Sequence, residues 1–153
     1  MAAPRTGQVR ITPSSDHPGW LVFDTNLPDA FHMGVFGPVL LRQEGERICR
    51  MRAETAALHG NLFNGLHGGA IMGLIDTSFF GALRVLTGDL GALGTTIDTS
   101  TQFIGAGKIG EPVDAVVELL RETRRLVFLR GTVEQGGELL AAFSGTVRKV
   151  STP

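Results

Sequence analysis

Five residues between positions 61 and 76 offer most of the chemistry in this sequence. Asn61 is followed by His67-Gly68-Gly69 and then by a single carboxylate, Asp76, inside an otherwise apolar run. A glycine turn lets a ligand approach the backbone, and a carboxylate can act as a base or a nucleophile. This combination is typical of a site for acyl transfer, in which N–H groups polarise a carbonyl and a carboxylate drives the attack.

Gly68 and Gly69 stand where a helix is predicted to begin. A helix N-terminus presents unpaired N–H groups and a partial positive charge, both of which favour a developing oxyanion. The alternative is a plain loop-to-helix turn that needs glycine for steric reasons.

Asp76 is harder to explain as an ordinary polar residue. An ionised carboxylate next to Ile75 and near Phe79 must be paired, hydrated or functional. The alternative is a structural carboxylate bonded to Thr77, to Ser78 or to the backbone of a partner subunit. We expect it to be the base or nucleophile of the site.

Three further polar residues are candidates for supporting roles. His67 is either structural or a group that orients a carbonyl, and Asn61 either positions water or the carbonyl or is an ordinary loop residue. Thr96, on the polar face of the next predicted strand, either bonds to Asp76 or to the attacking water or is ordinary strand polarity. His17, His32 and His59 show no metal-ligand spacing with His67 or with Cys49, so no metal is expected.

The spacing within this motif predicts an assembly. Gly68 and Asp76 are eight residues apart, about 12 Å along one helix axis. The two residues therefore cannot both touch one reacting carbonyl from the same helix. If both act on one substrate, a two-fold dimer must supply Gly68 from one copy and Asp76 from the other.

The elements around the motif indicate an α+β fold. Apolar residues recur at helical spacing over 69–87 and predict a helix there. Because nearly all faces of this helix are apolar, it should be buried almost all round. A hairpin is predicted over 38–54, and alternating or apolar segments predict four strands after the helix, at 95–104, 112–122, 126–135 and 139–150. Strict alternation over 95–104 would place Thr96 and Phe103 on opposite faces. The expected architecture is an antiparallel sheet wrapped around one long central helix.

Composition bounds the remaining possibilities. At 153 residues with 42% hydrophobic and 19% charged residues, the chain predicts a loose N-terminal arm over 1–25 and one domain over 26–153. A net charge of −1 gives no sign of a nucleic-acid or membrane partner. One cysteine and an N-terminus without an apolar core predict a cytoplasmic location.

The chain resembles the PaaI-like (phenylacetic acid degradation) group of hotdog-fold acyl-CoA thioesterases from about Phe31 to Val150. That family has an Asn or Gln six residues before a His-Gly-Gly and an acid nine residues after the His, which Asn61, His67 and Asp76 match. Later segments that match are TID at 96–98, GKIGEPV at 107–113, Arg124-Arg125 and GELLA at 137–141. The glycine usual three residues after the Asn is replaced by Asn64.

The resemblance implies a hotdog fold, a homodimer that is often doubled to a homotetramer, and hydrolysis of an aromatic or medium-chain acyl-CoA at the dimer interface. It makes Asp76 the base or nucleophile, Gly68 N–H the carbonyl polariser, Asn61 the positioning residue and Thr96 an assisting hydroxyl. Coenzyme A would be part of the substrate, with no separate cofactor. The candidates to contact it are Gly69, Lys108, Arg124 and Arg125, and the three charged residues could equally be solvated turn charges.

Three other functions are weighed against this one. A hotdog-fold enoyl-CoA hydratase would carry a Gly-Asp-x-Asn-Pro-x-His pattern, which this sequence lacks. A non-catalytic acyl-CoA-binding protein would use the same groove without turnover. A purely structural dimerisation module would leave Asp76 without explanation.

Overall fold

A computed structural model describes residues 7–150. Residues 1–6 of the predicted N-terminal arm lie outside the described residues. These residues form an eight-stranded antiparallel sheet with two helices and a 3₁₀ turn at Ala57–His59. The helices are α1 (Phe31–Val35) and α2 (Gly68–Thr87). The strands are β1 (Val9–Pro13), β2 (Leu21–Thr25), β3 (Val39–Gln43), β4 (Ile48–Ala53), β5 (Leu93–Phe103), β6 (Val113–Glu122), β7 (Leu126–Gln135) and β8 (Glu138–Val150).

The sheet order is β1-β2-β3-β4-β6-β7-β8-β5. The β3–β4 hairpin and the β6-β7-β8 meander agree with the sequence prediction, including a tight turn in which Gly136 and Gly137 both have positive φ. Strand β5 follows the helix in the chain but crosses to the far edge of the sheet, next to β8. This order makes β5 a long edge strand.

The N-terminal segment is more ordered than the sequence indicates. Residues 1–25 are expected to form a loose arm, yet β1 pairs along its length with β2 inside that range. Arg10 adds an ion pair with Asp24 across this pairing, at 2.8 Å. The pairing depends on β2 being in place, which local sequence does not show. The boundary between arm and domain at residue 25 stays a prediction.

Helix α2 lies against the concave face of the sheet and forms the centre of the core. Leu74, Phe79 and Leu83 are fully buried against strands of the sheet. A Cβ on Gly81 would come within 2.8 Å of the Leu41 and Met51 side chains, so glycine permits the close approach of helix and sheet there. By length and composition α2 would also pass as a membrane span, but 56% of that stretch is buried inside the fold.

The prediction that α2 is buried almost all round is wrong for one face. Gly69 and Met72 are exposed and Asp76 is only half-buried, because in the single chain the sheet covers this face only in part. In the single chain, α2 therefore keeps an accessible stripe that includes the candidate base.

A bulge in β5 corrects the predicted alternation of that strand. Thr96 pairs with Val147 and Asp98 with the next residue, Thr146, so Ile97 is an extra residue. Since paired residues share a face, Thr96 points to the helix with Val147, and so do Thr99, Thr101 and Phe103 beyond the bulge. The bulge thus places Thr96 and Phe103 on one face, where strict alternation would separate them.

Candidate active site at the two ends of one helix face

The N-terminus of α2 leaves one backbone donor free. His67 is the N-cap, and its Nδ1 accepts a hydrogen bond from Gly69 N–H at 2.8 Å. The carbonyl of His67 accepts from Ala70 and Ile71. Within residues 7–150 Gly68 N–H has no hydrogen-bond acceptor. His67 therefore has a structural bond, and Gly68 is the residue whose N–H can meet a ligand oxygen.

Asn61 holds the loop that leads into this helix. Its Oδ1 accepts from Phe63 N–H at 2.8 Å and from Gly65 N–H at 3.0 Å, and its Nδ2 donates to Leu66 O at 3.3 Å. Asn64 adopts a left-handed conformation with φ of 61°, which glycine and asparagine tolerate best. The replacement of the usual glycine by Asn64 is thus compatible with a tight turn, and Asn61 sets the loop geometry.

A surface cavity of about 390 Å³ opens beside Gly68. Asn61, Gly65 and Phe103 are among its lining residues. The Phe103 ring lies 3.2 Å from the position that a Cβ on Gly68 would occupy. The free N–H of Gly68 is therefore next to a space where a carbonyl group can bind.

Asp76 lies in a different cavity, two helical turns further along α2. Thr96 Oγ1 donates a hydrogen bond to Asp76 Oδ1 at 2.6 Å, so the predicted pairing of these two residues is present within one chain. The Asp76 cavity has a volume of about 230 Å³, with aromatic walls from Phe23, Phe31 and Phe80. The second carboxylate oxygen of Asp76, Oδ2, has no hydrogen bond to the described residues.

The two groups are held apart by the helix that carries both. Gly68 and Asp76 belong to the same continuous α2, so their separation is fixed at about 12 Å along its axis. The cavity that contains Gly68 is not lined by Asp76, and the Asp76 cavity is not lined by Gly68. Each cavity holds half of the predicted chemistry.

The basic candidates for coenzyme A contact lie at opposite ends of the sheet. Lys108 forms a β-bridge with Gly65 near the Gly68 cavity, and its exposed Nζ lies 3.8 Å from Glu111. Arg124 and Arg125 are in the β6–β7 turn, near the end of the sheet where Thr96 lies. A single chain therefore does not bring the three together.

Other kinds of chemistry find less support in the described residues. Burial raises the pKa of the Cys49 thiol to about 12, so this cysteine is not a thiolate nucleophile at neutral pH. Across residues 7–150, no three His, Cys, Asp or Glu side chains cluster to hold a metal ion.

Comparison with known proteins identifies the family. The model of the thioesterase superfamily matches residues 63–142, which include the helix with Gly68 and Asp76 and most of the later strands. The chain belongs to the thioesterase superfamily. Its sheet wrapped around one central helix is the hotdog fold of that superfamily. The resemblance to PaaI-like hotdog thioesterases is thereby confirmed.

Named relatives in the thioesterase superfamily fit this assignment. The chain is similar to acyl-coenzyme A thioesterase 13 of Homo sapiens, with 29% identity over 84 residues, and to that of Mus musculus, with 28% over 81 residues. The matches cover 55% and 53% of this chain, and 57% and 55% of the relatives. The chain thus spans little more than half the length of these relatives.

Solved structures show the same fold at low sequence identity. A mutant of phenylacetic acid degradation protein PaaI from Thermus thermophilus has a TM-score of 0.66 and 23% identity, covering 80% of this chain and all of that one. Zebra fish thioesterase superfamily member 2 has a TM-score of 0.67 and 23% identity, covering 79% and 88%. A hypothetical thioesterase from Streptococcus pneumoniae, solved with coenzyme A, has a TM-score of 0.67 and 16% identity, covering 78% and 91%.

Three residues that line the two cavities were not predicted from the sequence. Arg84 and His32 line the Asp76 cavity, and Phe103 lines the Gly68 cavity. The signal for Arg84 was a lone cation in an apolar helix, eight residues after Asp76 and so near the same face. No comparable signal exists for His32, which α1 brings in from a distant part of the chain.

Proposed function

We propose that this protein is an acyl-CoA thioesterase whose active site forms between two copies of the chain. The observation that carries the proposal is the division of the site. A free Gly68 N–H and an Asp76–Thr96 pair lie about 12 Å apart on one rigid helix, in separate cavities. A two-fold axis near the middle of the accessible α2 stripe, at Met72, would bring Gly68 of each copy to Asp76 of the other.

The free edge of the sheet supports this dimer. β5 has 11 residues and ends the sheet, so its outer backbone groups are available for pairing. Ile97 and Phe103 on this strand are more than half exposed. Pairing of β5 with its copy would cover the edge and align the two α2 helices, and a dimer of dimers is the larger assembly that we expect.

In the proposed reaction, the thioester carbonyl oxygen accepts a hydrogen bond from Gly68 N–H. Asp76 of the other copy either removes a proton from an attacking water or attacks the carbonyl carbon itself. In the first route the hydroxyl of the water adds to the carbonyl carbon, the C–S bond breaks, and the proton taken by Asp76 passes to the leaving sulfur, so that coenzyme A leaves as the thiol and the acyl group as the free acid. In the second route the C–S bond breaks to leave the acyl group on Asp76 as an anhydride while the thiolate takes a proton from solvent, and water then hydrolyses the anhydride to the free acid and restores the Asp76 carboxylate. Thr96 holds one carboxylate oxygen, which leaves the other directed to the reacting group.

Acyl-CoA as the substrate is supported by the names of the relatives. The similar human and mouse proteins are acyl-coenzyme A thioesterases, and the Streptococcus pneumoniae structure contains coenzyme A. The phosphates of coenzyme A are proposed to contact Lys108 from one copy and Arg124 or Arg125 from the other. The same two-fold axis would bring these opposite ends of the two sheets together.

The test is release of free coenzyme A from a panel of aromatic and medium-chain acyl-CoA thioesters by the purified protein. We expect turnover by the wild type and its loss in Asp76→Ala, with Asp98→Ala on the outer face of β5 as a matched control that retains turnover. Turnover by Asp76→Ala at the wild-type rate would remove Asp76 from the mechanism. Binding of acyl-CoA without any turnover would instead support a non-catalytic binding protein.

A further inference from the structure

The Asp76 cavity contains a buried cation, Arg84, that lacks an ion-pair partner in the described part of the chain. Arg84 is only 3% exposed, and it forms no salt bridge within residues 7–150. Its Nη1 donates to Phe80 O at 3.0 Å, and its Nε is buried without a hydrogen-bond partner. Buried charges in proteins are normally paired, because an uncompensated charge away from water is strongly unfavourable.

None of the carboxylates nearest to this cavity forms an ion pair with Arg84 among residues 7–150. Asp24 is bonded to Arg10 at 2.8 Å, and Asp76 accepts from Thr96 at 2.6 Å. Asp89 affects the pKa of Arg84 through its charge, but its Oδ1 accepts from Gly91 N–H at 3.1 Å. The guanidinium therefore keeps donors for a group that residues 7–150 do not supply.

A second unpartnered polar atom belongs to His32, another residue that lines this cavity. His32 Nε2 is buried without a hydrogen bond, and the His32 ring stacks on Phe23 with centroids 5.1 Å apart. Burial and the nearby charge of Arg84 lower the pKa of His32, so its ring is neutral and can either donate or accept a hydrogen bond. Arg84 Cζ lies 5.7 Å from the centre of the same Phe23 ring.

The position of the guanidinium sets the length of a fitting ligand. Arg84 is eight residues after Asp76, about 12 Å along α2, but its bond to Phe80 O turns the side chain back by about one helical turn. About 7 Å then separates it from the level of Asp76, an interval that an extended acyl chain of about six carbons spans. A cavity of about 230 Å³ is also below the size usual for large ligands.

We infer that the Asp76 cavity is the acyl pocket and that it selects a short acyl group ending in a second carboxylate, which Arg84 binds with the help of His32. This inference rests on the proposed thioesterase function and names its substrate class. Arg84 is a specificity residue in this scheme. It takes no part in the attack on the thioester.

The test compares two substrates of equal chain length, adipyl-CoA with a terminal carboxylate and hexanoyl-CoA without one. We expect the wild type to have a kcat/KM for adipyl-CoA at least about 10-fold above that for hexanoyl-CoA, as charge-assisted hydrogen bonds allow. Arg84→Met, which keeps the length and apolar stem, should lower the adipyl-CoA value about 10- to 100-fold more than it lowers the hexanoyl-CoA value. Arg84→Lys should retain part of the preference, because it keeps the charge without the planar fork.

Several outcomes would overturn the inference. The first is a wild-type preference for hexanoyl-CoA, and the second is an equal loss of kcat/KM with both substrates in Arg84→Met. The third is dissociation of the dimer by Arg84→Met in size-exclusion chromatography, which would mean that Arg84 pairs with the other copy. Should Arg84→Met fail to fold, the wild-type preference still decides.

Binding measurements separate this inference from the proposed function. If neither substrate is hydrolysed, the thioesterase proposal fails. The increase in the melting temperature of the wild type on addition of adipyl-CoA or hexanoyl-CoA then measures the same preference without turnover. A larger shift with adipyl-CoA supports the pocket assignment, and equal shifts overturn it.

Discussion

Replacement of Gly68 by proline would delete the one backbone donor on which the proposed oxyanion site depends. Gly68 is the first helical residue after the N-cap, the position at which helices accept proline best. His67, which precedes it, has φ −70° and ψ 135°, a conformation that a following proline favours. The variant should therefore fold while lacking the Gly68 N–H.

The expected loss is large because this N–H has no competing acceptor within residues 7–150. Removal of one oxyanion donor typically costs about 2.7–4 kcal/mol of transition-state stabilisation, or about 10²- to 10³-fold in kcat. The assay is continuous detection of released coenzyme A with a thiol reagent, at saturating acyl-CoA. Circular dichroism and size-exclusion chromatography would establish that fold and assembly are retained.

Gly68→Ala is the matched control for this substitution. It keeps the N–H but adds a Cβ at 3.2 Å from the Phe103 ring, a contact that a small ring movement relieves. We expect its kcat to fall by less than about 10-fold, since the donor remains. A folded Gly68→Pro variant with more than a tenth of the wild-type kcat, or equal losses in both variants, would refute the role of the Gly68 N–H.

Three further predictions test the division of the site, the support of Asp76 and the stability of the sheet. Asp76→Asn and Gly68→Pro are each expected to be inactive alone, but a mixture in equal amounts that is dissociated and reassociated should recover about one quarter of wild-type activity. Half of the dimers in that mixture contain one chain of each variant, and each mixed dimer has one intact site out of two. No recovery of activity would contradict a site shared by two copies. Thr96→Val should lower kcat about 10-fold by removing the 2.6 Å donor to Asp76, whereas Thr96→Ser should retain activity, and equal rates in the two variants would contradict this role. Asp114→Ala should lower the free energy of unfolding in urea by about 3 kcal/mol, because Arg50 and Arg52 both pair with this buried carboxylate. The exposed pair partner Arg130→Gln should change it by less than about 1 kcal/mol, and a similar small change for Asp114→Ala would show that the buried network adds little.

The parts of the fold that follow from local pattern were predictable from the sequence. Helix α2 has helical periodicity and a glycine, Gly88, that ends it in a left-handed conformation with φ of 74°. The strands after the helix alternate and are separated by turn residues. The features that local pattern does not encode were missed, namely the pairing of β1 with β2 and the crossing of β5 to the far edge.

The candidate site was predicted in its residues and less well in its surroundings. The joining of Asp76 to Thr96 follows the expectation, although strict alternation would have separated Thr96 from Phe103. Because one extra residue in a strand leaves no mark in composition, the bulge at Ile97 could not be found from sequence alone. The same holds for the buried position of Arg84, which depends on how α1 and β2 pack around the helix.

The bulge at Ile97 also limits how this protein can vary in length. Deletion of Ile97 itself would leave six residue steps between Thr96 and Phe103, so a strand that alternates strictly would still direct both side chains to α2, whereas deletion of one residue elsewhere between them with the bulge retained would turn one of them away. Substitution of Ile97, whose side chain is exposed, would leave both residues in place. Among natural variants of this chain, the stretch from Thr96 to Phe103 should therefore either keep its present length with the bulge or be one residue shorter without it, while the identity of residue 97 changes freely.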